Sequence, residues 1–190
     1  DIGANIGLHS IMMSKCGWKI DSYEPDPEHQ NVFLKNVSLN NEVNNINLNR
    51  MAVSSESGKT EFTRVLGNTT GSHISGSKDD VYGVTEKFEI DVIGIKKIMH
   101  KFDFIKMDVE GQEQNIISKT DKSDWLSTDM ILEVGNFKNA EKIFNHLRDI
   151  GVNCFSQKNN WKQVSKLNQM PENHREGSLF ISFDDKMFWR

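Results

Sequence analysis

Apolar and polar positions along the chain follow two rhythms, one suited to helices and one to strands. Leu8–Lys15 reads as a short helix, with Gly17 placed to end it. Residues 19–24 form a short strand closing on Tyr23-Glu24-Pro25. Asp26 then stands as an N-cap, with Pro27 at the first helical position and Glu28 in the first turn. Val32, Phe33, Val37 and Leu39 give this second helix an apolar stripe, and Asn40-Asn41 stops it. Residues 46–53 alternate in part and predict a strand, and 59–66 are extended. Residues 67–76 are a Gly/Asn/Thr/Ser loop that carries His73. Residues 88–93 alternate as a further extended run. A strand over 102–109 leads into a helix over 110–119, and 130–134 has the continuous apolar character of a buried strand. Ile143, Phe144 and Leu147 lie on one side of a helix over 140–149, which Gly151 closes. Residues 152–155 and 178–183 complete the set.

Strands alternating with helices, with an antiparallel close at the C-terminal end, predict an α/β sheet of the Rossmann type. No internal repeat or linker divides the chain, so residues 1–190 read as a single domain. Eleven Phe and four Trp are enough to build a core. No run approaches the ~18 apolar residues of a membrane span. The formal charge of −4 argues against a broad phosphate-backbone footprint, so nucleic acid is not an expected partner. Cys16 and Cys154 match no metal or redox spacing and read as reduced thiols of a cytoplasmic protein.

The chain opens on Asp1-Ile2-Gly3-Ala4-Asn5-Ile6-Gly7. Such a turn ordinarily follows a buried strand, and its glycines let the chain reverse from strand into helix. That strand is not in the sequence, and no leader pattern stands in its place. The chain therefore reads as N-terminally truncated, with further domains upstream and self-association both left open. A strand–turn–helix of this kind aims backbone N–H groups and a helix N-terminus at a ligand. Dinucleotide sites use G-x-G-x-x-G, whereas Gly3, Asn5 and Gly7 give G-x-N-x-G behind an acid, Asp1. A carboxylate there is a poor neighbour for a diphosphate. It suits a ligand bearing ammonium and sulfonium cations, such as S-adenosylmethionine. Glu24, at the end of the next strand, is where an acid accepts hydrogen bonds from both ribose hydroxyls, a feature NAD sites share. A tight turn holding no ligand explains the glycines equally well.

In order along the chain, Asp1-Ile-Gly-Ala-Asn-Ile-Gly7, Tyr23-Glu24-Pro25-Asp26-Pro27, Leu39-Asn40-Asn41 and Ala52-Val53-Ser54 with nearby Gly58 are followed by Asp103-Phe-Ile-Lys-Met-Asp-Val-Glu-Gly111 and Leu132-Glu133-Val134. Together they resemble the FkbM family of S-adenosylmethionine-dependent methyltransferases over roughly residues 1–135. The resemblance implies a class I methyltransferase fold, a mostly parallel sheet with helices on both faces and one antiparallel strand near the C-terminus. It implies methyl transfer mainly to oxygen, on hydroxyls of saccharides or secondary metabolites. By position it places Asp1, Gly3, Asn5 and Gly7 along the methionine half of the cofactor, Glu24 at the ribose, and Met51 and Ala52 near the adenine. A nicotinamide-dependent oxidoreductase and a non-catalytic methyltransferase-like module of a larger protein are the rival readings. G-x-N-x-G speaks against the first.

A hydroxyl acceptor favours a nearby base. Asp108 and Glu110 sit at the carboxyl end of a strand, where ligands bind in open α/β sheets. Asp108 is the expected group nearest the reacting centre, with Glu110 its helper or a helix-terminal acid. His73, in its polar loop, is a third catalytic candidate, since imidazole exchanges protons near neutrality, although a lone loop His is more often simply solvated. Asp108, Glu133 and Asn136 are an oxygen-ligand set of the type Mg²⁺ takes. Gly135-Asn136 is equally an ordinary turn pair, and the balance favours no metal. His9 on the first helix, and Trp161 and Trp189 with residues 158–166, are further candidates for cofactor and acceptor contacts, although Trp is most often core.

Overall fold

The computed structural model describes residues 1–41, 44–67, 71–77 and 83–187. Trp189 lies outside the described residues, as does part of the polar stretch on either side of His73. The chain divides into two compact units, residues 1–93 and 94–190.

In the first unit, Ile2 pairs in parallel with Tyr23, the last residue of β1 (Ile20–Tyr23). The Gly3 and Ala4 N–H groups both donate to the Tyr23 carbonyl at 3.1 Å. The chain then turns into α1 (Leu8–Lys15), which ends at Cys16 and left-handed Gly17. The cap predicted for α2 (Pro27–Leu39) is present: the Asp26 carboxylate accepts the Glu28 N–H at 2.8 Å, and Pro27 begins the helix. β2 (Ile46–Asn49) runs parallel to β1, from Ile20 opposite Ile46 to Tyr23 opposite Asn49. Ala4, Ile11, Phe33 and Val37 pack together, with Ile46 and Leu48 against them. The predicted stripe on α2 is narrower than expected. Phe33 and Val37, one turn apart, are buried, whereas Val32 and Leu39 point away and are exposed.

The strand expected over 46–53 is two strands in two sheets. The chain breaks at Arg50-Met51, and β3 (Ala52–Ser54) joins β4 (Gly58–Val65), β5 (His73–Ile74) and β6 (Thr85–Gly94) in the order β3-β6-β4-β5. β4 and β6 pair antiparallel from Gly58 opposite Val92 to Val65 opposite Thr85. Ala52, Phe62, Ile90 and Val92 bury one face, and the Phe62 and Phe88 rings sit 5.6 Å apart. The other face carries exposed Lys59–Glu89 and Lys87–Glu61 pairs, which contribute little in water.

The second unit is built on β7 (Phe104–Met107), β8 (Asp129–Glu133), β9 (Asn153–Ser156), β10 (Lys162–Gln163) and β11 (Ser178–Ser182), in the order β10-β9-β11-β8-β7. β7 and β8 are parallel, while β11 runs antiparallel to both β8 and β9. The predicted antiparallel close is therefore present. The wider expectation of a mostly parallel sheet is not met among the described strands, whose orientations are mixed. α3 (Glu113–Ile117) is shorter than the helix expected over 110–119, because Glu110 (φ 55°) and Gly111 (φ 104°) are left-handed and cannot continue a right-handed helix. α4 (Phe137–Ile150) is capped by the Asn136 side chain, which accepts the Asn139 N–H at 2.9 Å. Gly151 (φ 69°) ends it, and Ala140, Ile143 and Leu147 are fully buried. Phe155, Phe180 and Met187 form a cluster on which Phe104, Ile131 and Trp161 pack, so Trp161 lies against core rather than standing clear as a platform. Cys154 is buried and desolvation pushes its thiol up to about 12, whereas Cys16 is exposed. Among the described residues no helix is long and apolar enough to cross a membrane.

Among the described residues Trp125 is the largest fully buried side chain, and its indole N–H donates to Thr120 Oγ1 at 3.0 Å. Trp125→Ala should lower unfolding free energy by about 3–5 kcal/mol in a denaturant titration, cavity and lost hydrogen bond together.

Candidate functional site

Gly3 (φ 73°), Asn5 (φ 50°) and Gly7 (φ 90°) make every second residue of the opening turn left-handed. Glycine takes that conformation without strain, and Asn is among the few other residues that tolerate it. Gly7 is also constrained by space, since a Cβ there would lie 2.9 Å from the Phe33 ring. The turn is closed by the Gly7 N–H on the Ala4 carbonyl at 2.9 Å. The Asp1 carboxylate receives the Ser10 hydroxyl at 2.6 Å, and Ser10 in turn meets Ser22 Oγ at 2.8 Å. Ser10 and Ser22, both buried, thus link the first acid of the motif to α1 and β1.

Glu24 is 4% exposed and bridges two segments. One carboxylate oxygen accepts the Asn5 N–H at 2.8 Å, and the other accepts the Asp26 N–H at 2.8 Å. Oε2, which accepts the Asn5 N–H, has a second lone pair for a ligand hydroxyl, whereas Oε1 also faces His29. Gln30 donates to the Glu24 carbonyl at 2.8 Å, fixing the backbone from α2. His29 Nδ1 stands 3.5 Å from Glu24 Oε1.

A buried ion pair supports this corner. Arg64 grips Asp26 with two donors, Nε at 2.8 Å and an NH2 nitrogen at 2.6 Å, and reaches Glu86 at 3.0 Å with the remaining nitrogen. Its guanidinium lies 4.9 Å from the Phe88 ring centre. Burial alone would raise the Asp26 carboxyl, but the Arg64 hydrogen bonds, the Glu28 N–H and the charges of His29 and Arg64 together hold it below its ordinary value. Burial would lower His29. The Glu24 hydrogen bond and the negative charges of Glu24 and Asp26 outweigh that effect, and its pKa is raised.

Of the other first-unit candidates, Met51 lies at the break between β2 and β3, with its N–H on the Asn49 carbonyl at 3.0 Å. Ala52 is buried in the β3–β6 core. His9 is exposed on α1. His73 is not in an open loop. It is a strand residue opposite Thr63, 3% exposed, with Nδ1 within 2.8 Å of the Gly71 carbonyl.

In the second unit, β7 ends at Met107 and half-buried Asp108 follows at once. Glu110 is not the helix-terminal acid, since α3 begins at Glu113. That acid is buried and accepts the Val109 N–H at 3.1 Å and the Gly111 N–H at 3.2 and 3.1 Å on its two oxygens. Burial raises the Glu113 pKa against the pull of its own N–H and those of Gly111 and Val109, and the Asp108 charge adds to the rise. Glu133 ends the neighbouring strand. Its carboxyl is raised by burial and then by the charges of Asp108 and Glu110, with His174 and Lys106 opposing. Asp108, Glu110 and Glu133 thus share one acidic strand edge. Asn136 follows that strand and caps α4, its side-chain oxygen accepting the Asn139 N–H. Among the described residues no group of three or more His, Cys, Asp or Glu side chains is arranged to hold a metal ion.

Sequence reasoning missed Ser10, Arg64 and Glu113. Only Glu113 carried a local signal, as an acid two residues beyond Gly111 at the head of a helix.

A crystal structure of a methyltransferase FkbM from Methylobacillus flagellatus KT superimposes with a TM-score of 0.57 at 15% identity, covering 95% of this chain and 42% of that one. That likeness defines a methyltransferase fold. Residues 1–158 match the methyltransferase FkbM domain, and the chain belongs to that family. The protein named methyltransferase sdnD of Sordaria araneosa is 25% identical over 157 residues, covering 66% of this chain. The chain spans 61% of the length of that relative.

A raised His29 pKa stabilises the fold fully below the unfolded value, about 6.5, and the contribution is lost as pH rises through the folded value. The melting temperature of wild type over His29→Gln should therefore be larger near pH 5.5 than near pH 8.5 in paired thermal melts, with about 6.5 as the reference. Arg64→Leu strands the buried Asp26 carboxylate and should cost about 3 kcal/mol, largely restored by adding Asp26→Asn.

Proposed function

We propose that the chain works as one S-adenosylmethionine-dependent O-methyltransferase domain, with a hydroxyl of a saccharide or secondary metabolite as acceptor. The observation that carries the reading is the Glu24 carboxylate, locked between the glycine turn and α2 with a lone pair left on the oxygen that meets Asn5. The donor set of the first unit fits the cofactor. Its charged side chains at the turn are carboxylates, Asp1 and Glu24, which suit a cationic amino acid and a vicinal diol and repel a diphosphate. Gly3 and Gly7 keep the backbone bare where a ligand must approach closely.

Family membership supports methyl transfer as the reaction class. When bound, S-adenosylmethionine supplies a methyl carbon already activated by its sulfonium, and attack by the acceptor oxygen releases S-adenosylhomocysteine. In this reading Asp1 faces the ammonium, Gly3, Asn5 and Gly7 line the methionine half, Glu24 holds the ribose hydroxyls, and Met51 and Ala52 border the adenine. Asp108 takes the proton of the acceptor hydroxyl, and Glu110 shapes the same acidic edge. His73, the third candidate, is buried, with Nδ1 within hydrogen-bond distance of the Gly71 carbonyl.

Tryptophan quenching should report binding of S-adenosylhomocysteine and not of NADH; the reverse would overturn the reading. Glu24→Ala should weaken that binding at least tenfold by calorimetry, about 1.4 kcal/mol. Asp108→Asn should keep the affinity within about twofold and slow transfer of tritiated methyl to a panel of sugars and hydroxylated metabolites by about 100-fold. An unchanged rate would remove Asp108 from the chemistry.

A further inference from the structure

The turn Asp108-Val109-Glu110-Gly111 takes a path that its own residues do not favour. Glu110 has a Cβ and yet sits at φ 55°, followed by Gly111 at φ 104°. Two N–H groups of this turn, those of Val109 and Gly111, converge on the Glu113 carboxylate at 3.1–3.2 Å. That side chain is 2% exposed. An acid serving only the helix dipole would lie at the surface and face the N–H groups that follow it. Glu113 is buried instead and, besides its own N–H, reaches backward to residues four and two positions earlier.

We infer that Glu113 is a positioning residue, whose buried carboxylate sets the left-handed turn at Glu110 and Gly111 and so the aim of the Asp108 and Glu110 side chains. Its effect on turnover rests on the methyl-transfer reading given above; its hold on the turn does not. Oε1 accepts both N–H groups and Oε2 shares that of Gly111, so the Gly111 N–H is held by the whole carboxylate. A glutamine of the same length would set its NH₂ against an N–H donor.

The test is Glu113→Gln, read first by amide hydrogen exchange on the protein alone. Exchange at Val109 and Gly111 should quicken at least tenfold, while Met130 and Leu132 in β8 keep their protection. Methyl transfer to the same acceptor panel should slow at least tenfold with S-adenosylhomocysteine affinity within twofold, and Asp108→Asn/Glu113→Gln should be no slower than Asp108→Asn. Unchanged exchange at Val109 and Gly111 would overturn the inference. So would fast exchange with wild-type turnover, or rate losses that multiply in the double variant. Faster exchange in the variant of a protein whose wild type transfers no methyl supports the hold on the turn and counts against the methyl-transfer reading. Should Glu113→Gln fail to fold, Glu113→Asp, which keeps the charge one methylene short, is read the same way.

Discussion

The first unit depends on one carboxylate that serves two stretches of chain at once. Glu24 closes β1 and takes one N–H from the glycine turn and one from the start of α2. A charged acceptor in a buried corner holds its donors more tightly than a neutral one and is costly to leave unmet. The turn, the end of the strand and the helix start therefore behave as one piece. The Asp26–Arg64 pair extends that piece to β4, so a strand from the second sheet of the unit also braces it. Pre-formed geometry of this kind removes ordering cost from ligand binding.

The acidic edge of the second unit works on a different balance. Burial raises the Glu133 and Glu113 carboxyls and the Asp108 charge adds to both, with His174 and Lys106 only partly answering at Glu133. Glu113 is the member most withdrawn from solvent, and it faces backbone rather than the open edge.

What could be read in advance follows the range of the forces involved. Asp26-Pro27-Glu28 announces α2 because a cap is a contact between near neighbours. Gly3, Asn5 and Gly7 announce the turn because their backbone freedom is intrinsic to the residue types. The break at Arg50-Met51 could not be read, since apolar alternation continues regardless of which sheet receives each strand. His73 sits among Gly and Ser and is nonetheless drawn into a ladder by Thr63, ten positions earlier. The helix expected from Glu110 begins three residues later because a side chain downstream dictates the backbone upstream. Ser10 and Arg64 escaped notice for a similar reason: each completes a bond whose other half, Asp1 or Asp26, lies far off in the chain.

The two cysteines differ in a way that bears on how the protein can be handled. Cys154 lies inside the second unit with its proton held until strongly alkaline conditions, so alkylating and oxidising reagents find no thiolate there. Cys16 stands in solvent at the close of α1, the opposite end of that helix from the glycine turn. A maleimide dye would accordingly mount at a single address, one helix-length from the glycine turn, without any engineered mutation.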